Sequence, residues 1–484
     1  MTATGRLRSG LGLRTQQIVF GGCSAAELVD ELTLITGIDL AHVVMLLEQG
    51  LIDQLSAAGL LRTITALRDA DFDQLQDLPR PRGVYLMYEH YLVQQLGPQI
   101  GGRLHTGRSR NDLGATVTAM RLRSWLLDFL GEAARLQAVL LSRARAHRNT
   151  IMPIYTHFQA AMPITYGHYL VGVGLALGRD VTAARQACDG LSRCPLGAGA
   201  VAGCDLPIDP ARTAALLGFG APPVHAVDAV ASRDVLLRVL AAVAGISVTL
   251  SRLATDLQLW STTEFGFVEF PERLVGSSSA MPQKRNAFLL EHVKAAAGTA
   301  IGAWTAAASA MKSTPFTNTI EVGTEAVRSA WSGLHAVADA VQLAQVLASG
   351  AAPVQARMTQ RAEDGFVTAT AVANRLVRDG VPFRTAHHAV GAAVRRALER
   401  GQPTIACLEL PDGATVDLAD GLSLDAVVAA LDRGGGPGAF DDGFTPARQA
   451  WSDQQSWLHA ERDRLHRAGR ELIEAVSRVL MRGG

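Results

Sequence analysis

Aromatic residues are scarce in this chain of 484 residues: phenylalanine, tryptophan and tyrosine make up 5% of it. Cysteine is rarer still. The five present (Cys23, Cys188, Cys194, Cys204 and Cys407) show neither metal-type nor disulfide-like spacing. No metal and no disulfide framework is therefore expected, and a reduced, cytoplasmic setting is. Charge of one sign is also lacking, since Lys plus Arg and Asp plus Glu both number 45. With no long basic stripe, nucleic acid is not an expected partner. Neither an N-terminal signal pattern nor an apolar run long enough to span a bilayer is read, so no membrane partner is expected.

Alanine and leucine dominate what is there, as they do in helical proteins. The length allows two or three domains, or one extended architecture with a large core. Residues 1–20 are basic and Gly-rich and read as irregular or wrapped on a partner. Short amphipathic helices are expected over 25–68, and another over 83–97. Five long apolar-periodic segments follow, near 112–148, 164–190, 228–264, 287–312 and 322–350. In the third, Val235, Leu236, Val239, Leu240, Val243 and Ile246 recur at helical spacing and predict burial on more than one face. Helices this long predict a bundle whose apolar faces continue into neighbouring subunits, because one bundle alone would leave too much of that surface wet. After Gly350-Ala351-Ala352-Pro353 the chain reads as a smaller helical domain, with helices over 366–379, 384–400, 424–432 and 446–481. The expected domains are 1–111, 112–350 and 351–484.

Three stretches carry chemistry. Ser277-Ser278-Ser279-Ala280-Met281-Pro282-Gln283-Lys284-Arg285-Asn286 puts three hydroxyls, a cation and a carboxamide just before an apolar helical run. Unpaired N–H groups at such a helix start favour an anion. Lys284 adds full charge and Asn286 a donor, a set suited to a carboxylate whose charge grows during reaction. The second stretch, 101–112, holds His105, Arg108, Ser109, Arg110 and Asn111 between glycines and a helix, again suited to a small anion. The third is Tyr155-Thr156-His157-Phe158-Gln159, between long helices. Each has a plainer alternative: a polar turn, a solvated turn with a capping Asn111 or Asp112, and a structural histidine. On residue types alone all three alternatives stay open.

The order of residues says more. Ser278, Ser279, Met281, Pro282, Lys284 and Asn286 resemble the signature G-S-S-x-M-P-x-K-x-N of the fumarase/aspartase superfamily, with Glu291 at its later acidic position. Ser277 replaces the glycine, which is expected to stiffen the loop, and Ala287 replaces the proline that usually follows. Residues 105–112 resemble the H-T-G-R-S-R-N-D segment of the argininosuccinate lyase branch. Residues 155–170 resemble its T-H-x-Q-x-A-Q-P-x-T-x-x-H-x-L block, with Met162 replacing a glutamine. Further matches extend the resemblance from about 40 to 400.

The resemblance implies an all-α, three-domain fold whose central five-helix bundle forms a twenty-helix tetramer core, with each active site drawn from three chains. It implies a small-molecule, N-succinyl substrate and no cofactor. Ser278 would be the base at the succinyl Cβ, with Lys284 and Asn286 on the carboxylate that gains charge. His157, oriented by Glu291, would assist the leaving amine. Thr156, Gln159, Ser109, Arg110, Asn111, His105 and Ser279 would bind substrate. Departures fall on the amine half. The family's Tyr, Gln and Lys contacts become Asn318, Gly323 and Ala326, and a serine near the N-terminus becomes Asp39, both Asn318 and Asp39 being expected to meet the substrate. A site stripped of polar partners rejects its former substrate strongly. The expected activity is a fumarate-releasing C–N lyase with an altered amine half. The alternatives are argininosuccinate lyase itself and a non-catalytic, crystallin-like relative.

Overall fold

The computed structural model describes residues 10–22, 24–405, 407–418 and 422–482. Residues 1–9, part of the stretch read as irregular, and Cys23 lie outside the described residues. Within that stretch Leu13–Phe20 is helical, correcting the reading, although it buries none of its side chains. Helix α1 (Ala25–Glu48) starts at a capping box in which the Ser24 hydroxyl and the Glu27 carboxylate satisfy each other's backbone N–H groups. Asp53 caps α2 (Gln54–Asp69), and α3 (Val84–Leu96) follows. These helices share a core that includes Leu28, Leu32, Leu60, Leu61 and Tyr88.

The central segments form the expected bundle: α4 (Arg110–Ala146), α5 (Tyr166–Asp189), α6 (Asp234–Trp260), α7 (Leu289–Met311) and α8 (Ala326–Gly350). One continuous core joins them, from Leu122 through Val239 and Leu334 to Leu347. Small side chains let α7 and α8 approach closely, so that a Cβ on Gly333 would stand 2.5 Å from that of Ala303. Two boundaries differ from the periodicity. A short helix, Ala226–Ala231, precedes α6, and the break is held by Arg233, whose guanidinium donates to the carbonyls of Val230 and Ser232 at 3.0 Å. A π-helical turn, Glu321–Glu325, precedes α8.

Helix α6 also corrects the membrane reading: it is long and apolar enough to cross a bilayer by length and composition. It packs instead in the bundle core through Leu236, Val243 and Leu250, with 39% of its most apolar window buried within the chain.

Strands are confined to two-stranded ribbons among the described residues. The longest pairs β1 (Ile151–Thr156) with β2 (Gln159–Thr165). A second pairs β3 (Gly276–Ser277) with β4 (Arg285–Asn286). Beyond residue 351, helices Ala369–Arg378 and Phe383–Glu399 pack around Val372, Leu376, Val390 and Leu408. The last helix, α9 (Phe440–Arg482), has 43 residues. Phe440, Phe444 and Leu458 join the bundle core, while Ala475, Val476 and Val479 join the N-terminal core.

Candidate active site

The bundle has two chemically distinct ends. The first surrounds the start of α4. Ser109 and Asp112 form a capping box there, so the residues that open the helix are fixed by it. Asp112 is wholly buried, and its second carboxylate oxygen accepts the N–H groups of Gly197 and Gly199 at 3.0 and 2.9 Å. That brace holds the Gly-rich loop against the helix start. Asn111 donates to the Ala200 carbonyl at 3.1 Å and accepts from the Asn318 amide at 3.0 Å. Arg110, the first residue of α4, is exposed. A cleft of about 420 Å³ opens between residues 107–109 and 199–206. A larger one, about 490 Å³ between α4 and the start of α6, contains none of the expected site residues.

Beneath this loop lies an ion pair that the sequence did not reveal. The Arg108 guanidinium meets the Asp39 carboxylate at 2.6 Å, with both side chains fully buried. Burial pushes the Asp39 carboxyl up from its usual range, and Arg108 pulls the other way. Asp39 was expected at the substrate. It is corrected to an internal counter-ion, because its carboxylate faces Arg108 with no exposed surface. His105 shares a 2.8 Å hydrogen bond with the Tyr85 hydroxyl. Burial, then the charges of Arg108 and Arg110, lower its pKa to about 4, so the imidazole is neutral near pH 7.

The second end lies beyond the close of α4. Thr156 and Gln159 pair at the tip of the β1–β2 hairpin, and His157 and Phe158 form its two-residue turn. Both have positive φ, 51° and 60°. That geometry normally takes Asn and Gly, and holding other residues there costs on the order of 1–3 kcal/mol each. Thr156, His157, Phe158 and Gln159 are all exposed. The Ser277–Asn286 segment is a second hairpin, closed where Gly276 pairs with Asn286 and Ser277 with Arg285. Ser277 is a paired strand residue there, so that position needs no glycine. The Ser278 Oγ accepts the N–H of Met281 at 3.1 Å and that of Ala280 at 3.4 Å. Ser279 and Lys284 are exposed and Asn286 is half-buried. Glu291, in the first turn of α7, accepts from the Gln258 amide at 3.0 Å. Among the described residues, no hydrogen bond joins it to His157 within the chain.

The two ends do not meet. Helix α4 has 37 residues, about 55 Å at 1.5 Å per residue. His105, Ser109, Arg110, Asn111 and Asn318 cluster at its start. The β1–β2 hairpin follows its close, where Tyr155 packs near Phe265 and Phe267 ahead of the Ser278 hairpin. The positions expected to line the amine half also divide. Asn318 reaches Asn111, whereas Ala326 is fully buried in the bundle core and offers no wall to a ligand.

A family profile described as Lyase matches residues 87–302, and one described as Argininosuccinate lyase C-terminal matches 366–433. The argininosuccinate lyase of Methanoculleus marisnigri is 38% identical over 397 residues, covering 82% of this chain and 80% of that relative. The chain belongs to the argininosuccinate lyase family. The argininosuccinate lyase of Methanothrix thermoacetophila is 34% identical over 455 residues, 92% of each chain. Among solved structures, EDDS lyase in complex with formate superposes with a TM-score of 0.85 at 28% identity, covering 94% of this chain and 93% of that one. An EDDS lyase variant with bound fumarate gives 0.85 at 27% identity, covering 99% and 98%. The fold is also that of class II fumarase from Schistosoma mansoni (TM-score 0.69, 15% identity, 80% and 88% covered). Within the argininosuccinate lyase family match, Asp39, Asn318, Gly323 and Ala326 all lie outside the two profile-matched stretches. The departures read on the amine half thus fall outside the stretches that the family profiles match, whereas Met162, Ser277 and Ala287 fall within them.

Proposed function

We propose that this carbon–nitrogen lyase eliminates an amine other than arginine from an N-succinyl substrate and releases fumarate. The observation that carries the reading is the Ser278 hydroxyl, whose oxygen accepts two backbone N–H groups inside a closed hairpin that also holds Lys284 and Asn286. A serine is too weak a base unless its alkoxide is stabilised, and donors aimed at the oxygen do that. Ser278 removes a proton from the succinyl Cβ, and the electron pair moves into the adjacent carboxylate. Lys284 and Asn286 stabilise that charge, each such donor contributing about 3 kcal/mol in the transition state. The C–N bond then breaks, His157 supplies a proton to the departing amine, and fumarate leaves. Thr156, Gln159, Ser279, Ser109, Arg110 and Asn111 grip the carboxylates.

The roughly 55 Å length of α4 supports a site in which Ser109 and His157 come from different copies. Val248, Ile301, Trp304 and Val346 stand exposed on bundle helices, an apolar surface that further copies would cover. Both points support a homotetramer with a twenty-helix core. Mixing Asn111→Ala chains with His157→Ala chains would then restore activity in part, since some sites would draw both residues intact.

The altered amine half rests on Ala326, buried where a lysine is expected, and on Asp39, spent on Arg108. The test is fumarate release, followed by ultraviolet absorbance, from argininosuccinate and from a panel of N-succinyl amines. Turnover of argininosuccinate at about 1–10 per second would establish argininosuccinate lyase itself, the reading that the 38% identity to that enzyme favours.

A further inference from the structure

Asn318 stands where a substrate contact was expected, yet its amide is occupied by the protein. The Nδ2 of Asn318 donates to the Asn111 Oδ1 at 3.0 Å, and the Asn111 Nδ2 donates onward to the Ala200 carbonyl at 3.1 Å. Both residues are half-buried. The chain of amides links three segments that are remote in sequence: the loop after α7, the first turn of α4 and the Gly-rich loop. It also fixes which face of the Asn111 carboxamide is which. Its carbonyl is turned to Asn318, leaving one N–H of its amide group uncommitted. An anion needs a donor, so this orientation is the useful one.

Gly323 makes the arrangement possible. A Cβ at that position would stand 3.0 Å from the Asn318 Oδ1. Gly323 lies in the π-helical turn, and its N–H bonds the Thr319 carbonyl at 2.8 Å. Irregular turns of this kind recur at functional sites. Two of the positions that depart from the family's amine contacts are thus a matched pair, an amide and the space that admits it.

We infer that Asn318 is a positioning residue: it orients the Asn111 amide toward a substrate carboxylate rather than touching the amine itself. The inference rests on the reading that Asn111 grips a carboxylate of the succinyl or fumarate group. The probe is fumarate, titrated calorimetrically into the full-length protein in its native assembly, with the melting midpoint measured alongside. Asn318→Ala is expected to weaken fumarate binding about three- to tenfold, the range for one lost hydrogen bond. Asn318→Leu keeps most of the side-chain volume without a donor, and is expected to weaken it as much. A packing role predicts that leucine restores what alanine loses, and that result would overturn the inference. Gly323→Ala crowds the amide and is expected to weaken binding too, with the Asn318→Ala/Gly323→Ala pair no worse than Asn318→Ala alone, since both act on one contact. Asn111→Ala separates the two claims. If it leaves fumarate binding unchanged, the carboxylate role of Asn111 fails, and the role of Asn318 fails with it. If it weakens binding while Asn318→Ala does not, only the positioning role falls.

Discussion

The two ends of the bundle solve the problem of holding an anion in opposite ways. At the start of α4 the groups are built into the fold: Asp112 braces two backbone segments, Asn111 is held on both sides, and Arg108 is neutralised from below by Asp39. Beyond its close, the reactive groups stand on two exposed hairpins, with Ser278 held by its own turn and His157 on a strained tip. The contrast teaches a division of labour. One end is preorganised and contributes to stability, and the other is presented to solvent, ready for a partner surface or a substrate to complete it.

Substitutions in the buried braces of the first end should therefore cost stability, and those on the hairpins of the second end activity. The largest effect is expected for Asp39→Ala, which leaves the Arg108 charge buried without a counter-ion and should lower stability by about 3–5 kcal/mol in a denaturant titration. Replacing both partners by apolar residues should recover most of the loss. A cost below about 1 kcal/mol, typical of an exposed pair, would break the comparison. Next comes Ser278→Ala, which should lower the turnover number for fumarate release about a hundredfold or more while leaving the melting midpoint in place. A large fall in that midpoint would show the hairpin to be structural.

A smaller effect should appear on acidification. The His105 pKa, lowered to about 4 by burial and by Arg108 and Arg110, lies below the value of about 6.5 for an unfolded chain. Between these values the unfolded state binds a proton that the folded state does not, so stability falls as pH drops from about 6.5 toward 4. Denaturant titrations at steps across that window should show a shallower fall in His105→Asn, and equal slopes would remove the effect. The smallest change is expected from Phe158→Gly, which relieves one left-handed residue at the hairpin tip. A gain of up to about 1 kcal/mol should register, since relief of strain is partly offset by the freer unfolded chain.

Much of this contrast was legible in the sequence, and the remainder has physical reasons for being hidden. The long helices showed through their apolar period, and the three motifs through their order. The β1–β2 hairpin did not, because Pro153 and Pro163 face each other across it and proline argues against a strand. Asp39 read as a polar group facing substrate. Nothing in a helical period marks a carboxylate as buried, and its partner lies 69 residues further on. Ala326 reads as an alanine in place of a contact lysine, and nothing in the residue types marks its full burial in the bundle core directly after the π turn at Glu321–Glu325. The fold class and the three chemistry-bearing stretches were thus within reach, while the direction in which individual side chains point was not.

Helix α9 sets the order in which the molecule can be finished. Its closing turns supply Ala475, Val476 and Val479 to a core otherwise made of the N-terminal helices, the start of α4 and residues between 194 and 219, and the Gln54 amide donates to the Val479 carbonyl at 2.7 Å. During synthesis, that cluster therefore stays open on one side until residues 475–479 arrive. Closing so large a loop of chain is slow, and a protein truncated before Ala475 would leave that cluster exposed.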